Sequence, residues 1–311
     1  MKNRFIVSLI LLCTLANPNG STAQITNPEK VKLDDGSHLH YVARGDGEPV
    51  IFVHGFLDEF SAWLRQVEGF SREGFKAITY SRRHNFPNRN SIRSNHSAAL
   101  EADDLAQLVK KLDLKKVHVV GFSYGGYTSL MFALKYPELA KSVTLIEPPI
   151  VPWLQSLPTK QLDDGKAHFG KLMQHGVKAA QSAIKAKDEE SAIRCMIDAI
   201  GGKGKYESLP RFVKTKSLRN VKELKAFLAS ENRFPPVDRK RVEKLKVPTL
   251  ILSGSKSVAT ARLTDPELER LIPKPHRKRV VFEGATHVLQ IEQPVRFRET
   301  VIKFIREDAR N

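Results

Sequence analysis

The sequence predicts an α/β fold built on a mostly parallel sheet, and three observations support that prediction. Short apolar runs recur along the chain, and longer segments with helical periodicity separate them. The runs do not alternate between apolar and polar residues, which is typical of strands buried on both faces of a sheet. Strand and helix alternate through most of the chain, as they do in α/β domains.

The chain is expected to enter this sheet through a hairpin. Residues 31–33 and 39–42 flank Asp35-Gly36, a dipeptide that adopts a tight turn readily. The clearest helix is predicted over 98–112, where leucines at spacings of three and four share one face. The predicted buried strands contain residues 50–53, 77–80, 117–120, 143–146, 249–252 and 280–282.

The alternation stops between about Pro152 and Val242, in a lysine-rich stretch without a convincing buried strand. Prolines, which break helices and stiffen connections, mark its two ends. We interpret this stretch as a helical insertion that covers the sheet. Helical patches are predicted around 163–174, 177–200 and 217–230.

The N-terminus has the pattern of a secretory signal peptide. Two cations in the first four residues precede the apolar stretch Phe5 to Ala16, and small residues follow it. We predict cleavage after Ala23 and therefore an exported protein, periplasmic or secreted. The alternative is an uncleaved N-terminal membrane anchor, but the sequence has no second hydrophobic span, so no integral span is expected after processing.

The formal net charge of +17 falls to about +15 without residues 1–23, because Lys2 and Arg4 lie there. Such a charge first suggests nucleic acid as a partner. The basic residues are scattered, however, and no nucleic-acid-binding motif contains them. We therefore expect a solvated basic surface and a small-molecule substrate, with no nucleic acid as partner.

One glycine-flanked serine has the pattern of a catalytic nucleophile. Gly121-Phe122-Ser123-Tyr124-Gly125 follows a predicted strand and opens a predicted helix. A sharp strand-to-helix turn strains the serine backbone, and glycine at the flanking positions removes the side chains that would clash there. This context predicts Ser123 as the nucleophile.

Two backbone N–H groups are candidates for an oxyanion hole. Phe56 lies in the loop His54-Gly55-Phe56 that follows a predicted strand, and Tyr124 comes directly after the nucleophile at the start of a helix. The dipole of that helix favours negative charge at its N-terminus. His54 itself is expected to have a structural role.

His287 is the predicted general base. It lies in Gly284-Ala285-Thr286-His287, a loop between the last predicted strand and a helix that begins around Gln293-Pro294. A histidine there can take a proton from Ser123. It also comes after Ser123 in the chain, as a histidine does in the order nucleophile, acid, histidine.

Together, the His-Gly loop, Gly-Phe-Ser-Tyr-Gly-Gly, Pro248 to Gly254 and Gly-Ala-Thr-His resemble the α/β-hydrolase superfamily. The resemblance spans about residues 30–150 and 240–308. It implies a mostly parallel eight-stranded sheet with helices on both faces and a helical cap inserted after the sixth strand. The expected division is a core of residues 24–150 and 239–311 and a cap of residues 151–238.

The acid of the expected triad departs from the family pattern. Many members carry an aspartate a few residues after Gly254, where this chain has Ser257. Two substitutes are present. Glu147 follows a predicted strand at the carboxyl edge of the sheet, where some members place their acid. Asp265 is the alternative, although its position before Pro266 is also explained by helix capping.

These residues favour a serine hydrolase that cleaves an ester or a related acyl bond through an acyl-enzyme. A carbon–carbon bond hydrolase stays open, because relatives of that kind also use serine. The missing aspartate leaves a third interpretation, a non-catalytic ligand-binding protein on the same fold. No metal or organic cofactor is expected, since the sequence has neither paired metal ligands nor a dinucleotide fingerprint. The oligomeric state is not predicted.

Overall fold

A computed structural model describes residues 27–92 and 95–308. It contains one eight-stranded sheet with the spatial order β1-β2-β4-β3-β5-β6-β7-β8. The first two strands join the sheet in antiparallel fashion, and the neighbours from β4 to β8 are parallel. The strands are β1 Glu29–Lys32, β2 His38–Arg44, β3 Glu48–Val53, β4 Phe75–Tyr80, β5 Val117–Phe122, β6 Ala140–Ile146, β7 Thr249–Gly254 and β8 Arg277–Phe282. The predicted α/β class is confirmed, and each predicted strand lies within an observed one.

The predicted hairpin forms the start of this sheet. Strands β1 and β2 pair antiparallel, with Val31 opposite Leu39. Gly36 has a φ of 83°, a backbone conformation that glycine adopts without steric cost. Asp35 stabilises the same turn, since its carboxylate accepts a hydrogen bond from the Ser37 N–H at 2.9 Å.

Helices cover both faces of the sheet. Along β3, Ile51 and Val53 pack into a core formed with the helices over 98–111 and 124–135, whereas Val50 and Phe52 pack into a second core with the helices over 64–72 and 294–303. All four side chains are fully buried, which explains why the strand is apolar at each of these four positions. The helices outside the insertion are α1 Leu64–Arg72, α2 Ala98–Lys111, α3 Tyr124–Lys135, α9 Arg239–Val242, α10 Ala259–Leu271, α11 Leu289–Glu292 and α12 Pro294–Lys303.

The segment 151–238, named the cap below, consists of helices and connecting turns. The predicted helical patch around 177–200 contains two helices. Lys187 adopts a φ of 62°, which ends the first helix, and the Asp188 carboxylate begins the next by accepting a hydrogen bond from the Ser191 N–H. Its helices are α4 Leu162–Lys171, α5 Ala179–Lys185, α6 Glu189–Gly201, α7 Arg211–Arg219 and α8 Val221–Ala229, with a π-helical turn over Leu172–Lys178.

The predicted signal peptide, with its cleavage after Ala23, lies outside the described residues. Within the ranges 27–92 and 95–308, no helix combines the length and the apolarity needed to cross a bilayer.

Candidate active site

Ser123 occupies a strained turn between a strand and a helix, as its sequence context predicts. Its backbone has φ 51° and ψ −121°, an unfavourable conformation for a residue with a side chain. The surrounding structure holds it there: the Ser123 N–H donates to the Ile146 carbonyl at 2.8 Å, and its own carbonyl accepts from the Tyr127 N–H at 3.0 Å. The turn places the Ser123 side chain in the wall of a cavity.

The flanking glycines are required by close backbone contacts. A Cβ on Gly121 would lie 2.4 Å from the Gly125 carbonyl oxygen, and a Cβ on Gly125 would lie 2.3 Å from the His54 carbonyl oxygen. Both distances are far below a normal contact, and backbone atoms have little freedom to move away. The Gly-x-Ser-x-Gly spacing is therefore a steric requirement of this turn.

The structure brings His287 to Ser123. The His287 Nε2 atom lies 3.1 Å from Ser123 Oγ, within hydrogen-bond distance. The side chain is 20% exposed, and its Nδ1 atom faces a buried carboxylate. Its ring also packs against Phe122, with 4.9 Å between the ring centroids.

Glu147 is the carboxylate that contacts His287. The Glu147 Oε2 atom lies 2.5 Å from His287 Nδ1. Glu147 directly follows β6 with a φ of 48°, a second strained residue at the same edge of the sheet. A proton on Nδ1 that is donated to this carboxylate leaves Nε2 free to accept the proton of Ser123.

Asp265, the alternative acid, is placed elsewhere. It lies within α10, which begins six residues before it at Ala259, so it does not cap a helix that starts at Pro266. The fully buried Asp265 carboxyl group accepts a hydrogen bond from Ser253 Oγ at 2.6 Å and makes no contact with His287. Burial is the main cause that raises the pKa of Asp265 to about 8.

Ser257, the serine in place of the expected aspartate, belongs to the acid's environment. Its hydroxyl donates to Glu147 Oε2, and the Gly254 N–H donates to Glu147 Oε1 at 2.7 Å. Both carboxylate oxygens thus accept hydrogen bonds, which stabilises the charge of a group that is only 1% exposed. The sequence marks Ser257 as a departure from the family pattern but not as a partner of Glu147.

The loop that carries His287 is anchored on both sides. The Lys256 N–H donates to the Ala285 carbonyl at 2.9 Å. The Glu292 carboxylate accepts from both the N–H and the hydroxyl of Thr286, each at 2.7 Å. These contacts fix the residue immediately before His287, and no sequence motif pointed to Glu292.

The two predicted oxyanion donors lie beside the nucleophile. Phe56 and Tyr124 line the same cavity as Ser123, and their rings are 6.1 Å apart. Tyr124 is the first residue of α3, so its N–H has no acceptor within that helix. Within the described part of the chain, neither N–H donates a hydrogen bond, and both are available to a ligand.

His54 is structural, as expected. Its Nδ1 lies 2.8 Å from the Gly55 carbonyl oxygen, and its Nε2 accepts from the Arg82 N–H at 3.0 Å. Full burial and the Arg82 charge hold the pKa of His54 well below its usual value, so the ring is neutral. Arg82 and Arg83, which follow β4, both form ion pairs. The partners of Arg82 are the buried Glu101 and Glu223, and those of Arg83 are the buried Asp104 and the part-exposed Asp35.

A small apolar cavity of about 50 Å³ opens above these groups. The cap and the core both contribute to its walls, and none of the lining residues is Lys or Arg. The polar side chains of Ser123, Glu147, Thr260 and His287 also line it. The apolar lining consists of Phe56, Tyr124, Pro149, Val151, Leu172, Met196, Ile200, Phe227, Phe234, Val258 and Ala261.

Comparison with known proteins places this arrangement in a family. Residues 48–294 match the family described as the alpha/beta hydrolase fold. The chain is 24% identical to 2-hydroxy-6-oxo-6-phenylhexa-2,4-dienoate hydrolase of Comamonas testosteroni, over 93% of this chain and 98% of that protein. It is 22% identical to bifunctional epoxide hydrolase 2 of Sus scrofa over 90% of this chain, which spans about half (55%) of that longer protein.

Solved structures show the same fold. A thermophilic esterase from Thermogutta terrifontis superposes with a TM-score of 0.68 at 22% identity, over 90% of this chain and 99% of that one. An esterase from Exiguobacterium antarcticum superposes with a TM-score of 0.70 at 18% identity, over 90% and 100%. Because the family match covers well over half of the sequence and the sheet has the corresponding topology, the chain belongs to the family of α/β-fold hydrolases.

Proposed function

We propose that this hydrolase is a serine esterase for small uncharged esters, with Ser123, His287 and Glu147 as its catalytic triad. One observation carries the proposal: His287 lies within hydrogen-bond distance of both other residues, at 3.1 Å from Ser123 Oγ and 2.5 Å from Glu147 Oε2. A nucleophile, a base and an acid that orients the base are the groups that acyl transfer requires.

The reaction follows from this geometry. Ser123 Oγ attacks the ester carbonyl while His287 Nε2 takes the hydroxyl proton, and the N–H groups of Phe56 and Tyr124 stabilise the oxyanion. The tetrahedral intermediate collapses, and His287 gives the proton to the departing alkoxide. A water molecule then attacks the acyl-enzyme, His287 accepts its proton, and the carboxylic acid leaves as Ser123 regains its hydrogen.

Epoxide hydrolysis fits the serine poorly. An alkoxide that opens an epoxide forms an ether with the enzyme, and water does not cleave an ether under mild conditions. A carboxylate nucleophile would instead form an ester that water can hydrolyse. Ser123 therefore supports acyl transfer, despite the likeness to the epoxide hydrolase of Sus scrofa.

The cavity favours an ester over a carbon–carbon bond substrate. The name of the Comamonas testosteroni relative describes a dienoate, which carries a carboxylate. A buried carboxylate needs a cationic or hydrogen-bonding partner. The cavity of this chain is lined by apolar side chains without a Lys or Arg, which supports a neutral acyl group.

A non-catalytic ligand-binding protein was the interpretation that the missing aspartate left open. The contact between Glu147 and His287 argues against that interpretation, because it supplies His287 with a carboxylate although the aspartate is missing.

Export is also part of the proposal and depends on the pattern of residues 1–23 alone. Sequencing the N-terminus of the protein recovered from the cell exterior or periplasm tests it, with Gln24 as the expected first residue.

The test of the esterase combines labelling with turnover. Wild type and Ser123→Ala are treated with a fluorophosphonate and assayed with p-nitrophenyl acetate and butyrate. We expect labelling and turnover in the wild type and the loss of both in Ser123→Ala. A folded wild type that neither labels nor hydrolyses these esters would return the binding protein to first place.

A further inference from the structure

A carboxylate from the cap enters the core next to the predicted oxyanion hole. Glu223 lies in α8 and is fully buried. Its Oε2 atom accepts a hydrogen bond from the Leu57 N–H at 2.6 Å, although the two residues are 166 positions apart. Leu57 directly follows Phe56 and has a φ of 57°, so an acceptor from another part of the fold holds a strained residue in place.

Arg82 holds the other side of the same loop. Its Nε donates to the His54 carbonyl at 3.1 Å, and its Nη2 donates to the Gly55 carbonyl at 2.9 Å. Nη2 also pairs with Glu223 Oε1. The segment from His54 to Leu57 is therefore held at three backbone groups by one buried ion pair, and the Phe56 N–H lies between those groups.

The second oxyanion residue contacts the same arginine. The guanidinium carbon of Arg82 lies 5.1 Å from the centroid of the Tyr124 ring. Tyr124 is itself buried, and its ring is 6.2 Å from that of Phe227, four residues after Glu223 in the same helix. One buried cation thus binds the Gly55 carbonyl, which belongs to the same peptide group as the Phe56 N–H, and lies over the ring of Tyr124, the residue with the second predicted donor.

Stability alone gives a weak reason for this pair. Arg82 also pairs with the buried Glu101 carboxylate at 2.6 Å, so three charges are removed from water, at a cost in free energy that their attraction repays only in part. Apolar residues of similar size are often as stable. A role in placing the segment from His54 to Leu57, which contains the predicted oxyanion donor Phe56, explains why charged groups with directional hydrogen bonds are buried beside it.

We propose that Arg82 and Glu223 are positioning residues, which aim the Phe56 N–H at the developing oxyanion and make that alignment depend on a docked cap. The inference rests on the proposed esterase. Neither residue lines the cavity or contacts Ser123 or His287. Their effect is therefore expected on transition-state stabilisation rather than on substrate binding.

The test uses Glu223→Asp, which keeps the charge beside Arg82 but withdraws the carboxylate from the Leu57 N–H. We expect kcat for p-nitrophenyl butyrate to fall about 10- to 100-fold with KM within about twofold, since loss of a whole oxyanion donor costs roughly 100- to 1,000-fold. Inhibition by a boronic acid that forms a tetrahedral serine adduct should weaken in parallel. Arg82→Lys, which loses the planar fork to His54 and Gly55, should behave in the same way.

Arg219→Gln is the matched control. Arg219 in α7 pairs with Glu59 of the core, so this variant also removes an ion pair between cap and core, but one that does not touch residues 54–57. Its kcat should stay within about twofold of wild type.

Thermal unfolding of every variant checks that each is folded. A folded Glu223→Asp or Arg82→Lys with wild-type kcat and boronic acid affinity overturns the positioning role. An equal loss in Arg219→Gln also overturns it, because any weakening of cap docking would then suffice. If wild type itself neither hydrolyses the ester nor labels at Ser123, the proposed esterase fails instead.

Discussion

The imidazole of His287 and the carboxylate of Glu147 meet at 2.5 Å across the end of β7, although each follows a different strand. Glu147 extends from the end of β6, and His287 lies in the loop after β8. The intervening strand supplies the Gly254 N–H that also binds this carboxylate. Glu147, which follows the neighbouring strand β6, therefore contacts His287 in a chain that lacks the aspartate expected after β7.

Glu147→Gln is expected to lower kcat by about 1,000- to 10,000-fold while leaving the protein folded. A neutral amide no longer stabilises the imidazolium that forms when His287 takes the proton, and it can stabilise the wrong tautomer of the ring. Steady-state hydrolysis of p-nitrophenyl butyrate measures the loss.

Asp265→Asn is the matched control for that variant, because it changes the other candidate acid in the same isosteric way. Its carboxyl group contacts Ser253 and not His287, so kcat should stay within about threefold of wild type. The reverse pattern, with activity lost in Asp265→Asn and kept in Glu147→Gln, would assign the acid to Asp265.

Ser257→Ala should reduce kcat by about tenfold. Its hydroxyl donates to the carboxylate oxygen that also contacts His287, and a hydrogen bond to a charged group contributes about 1.5–3 kcal/mol, of which only part acts on the transition state. Ser255→Ala provides a control in the same turn, since Ser255 Oγ accepts from the Gly284 N–H instead. Equal rates for Ser257→Ala and wild type would show that the hydroxyl does not support Glu147.

Asp265 should make stability fall as pH rises. Burial is the largest cause of its raised pKa, the nearby Glu147 charge adds to it, and Ser253 and Arg279 oppose it, which brings the pKa to about 8 from a usual value of 3.8. Between those values the folded protein keeps a proton that the unfolded chain releases. Stability therefore declines through this window by at most roughly 1.4 kcal/mol per pH unit, and the decline stops above about pH 8.

Thermal unfolding between pH 5 and pH 9 measures this decline against Asp265→Asn, which has no proton to lose at that position. The melting temperature of the variant minus that of wild type should increase up to about pH 8 and then level off. A difference that stays constant with pH would mean that Asp265 is ionised in the folded protein throughout.

Much of the fold and part of the site follow from local sequence patterns. A buried strand such as β3 is recognisable because residues 50–53 all face a core, and Ser123 because backbone contacts require glycine on both sides. His287 is recognisable from its order in the chain and its place after a strand. In these cases a few neighbouring residues contain the whole physical reason.

The remaining features depend on contacts between distant residues. Of the two candidate acids, only Glu147 contacts His287, whereas helix α10 turns Asp265 towards Ser253. Asp265 precedes a proline, which suggests a helix start, yet that helix begins six residues earlier and contains the proline. The Glu223 contact with Leu57 has no local signature at all, because the cap places it there.

The small size of the cavity predicts a preference for short acyl chains. Replacing one side chain of the cavity wall should weaken that preference. Met196 in α6 of the cap is 2% exposed and lines the cavity, whose volume of about 50 Å³ is far below the ~300–1,000 Å³ typical of sites for drug-sized ligands. We expect wild type to hydrolyse p-nitrophenyl acetate and butyrate faster than the octanoate. Met196→Ala should raise kcat/KM for octanoate relative to acetate by up to roughly 60-fold, since the shorter side chain leaves room for about three further methylenes of the acyl chain, which contribute about 0.8 kcal/mol each when buried.

Met131→Ala separates this effect from a general loosening of the protein. Met131 is also a largely buried methionine, but it lies in α3 and is absent from the cavity wall, so its removal should lower stability without changing the ratio between octanoate and acetate. The ratio is the informative quantity because a misplaced triad lowers the rates for octanoate and acetate together. A longer pocket instead raises the rate for octanoate relative to that for acetate. An unchanged ratio in Met196→Ala would place the acyl chain on another wall of the cavity, and an equal rise in Met131→Ala would attribute the preference to flexibility of the core.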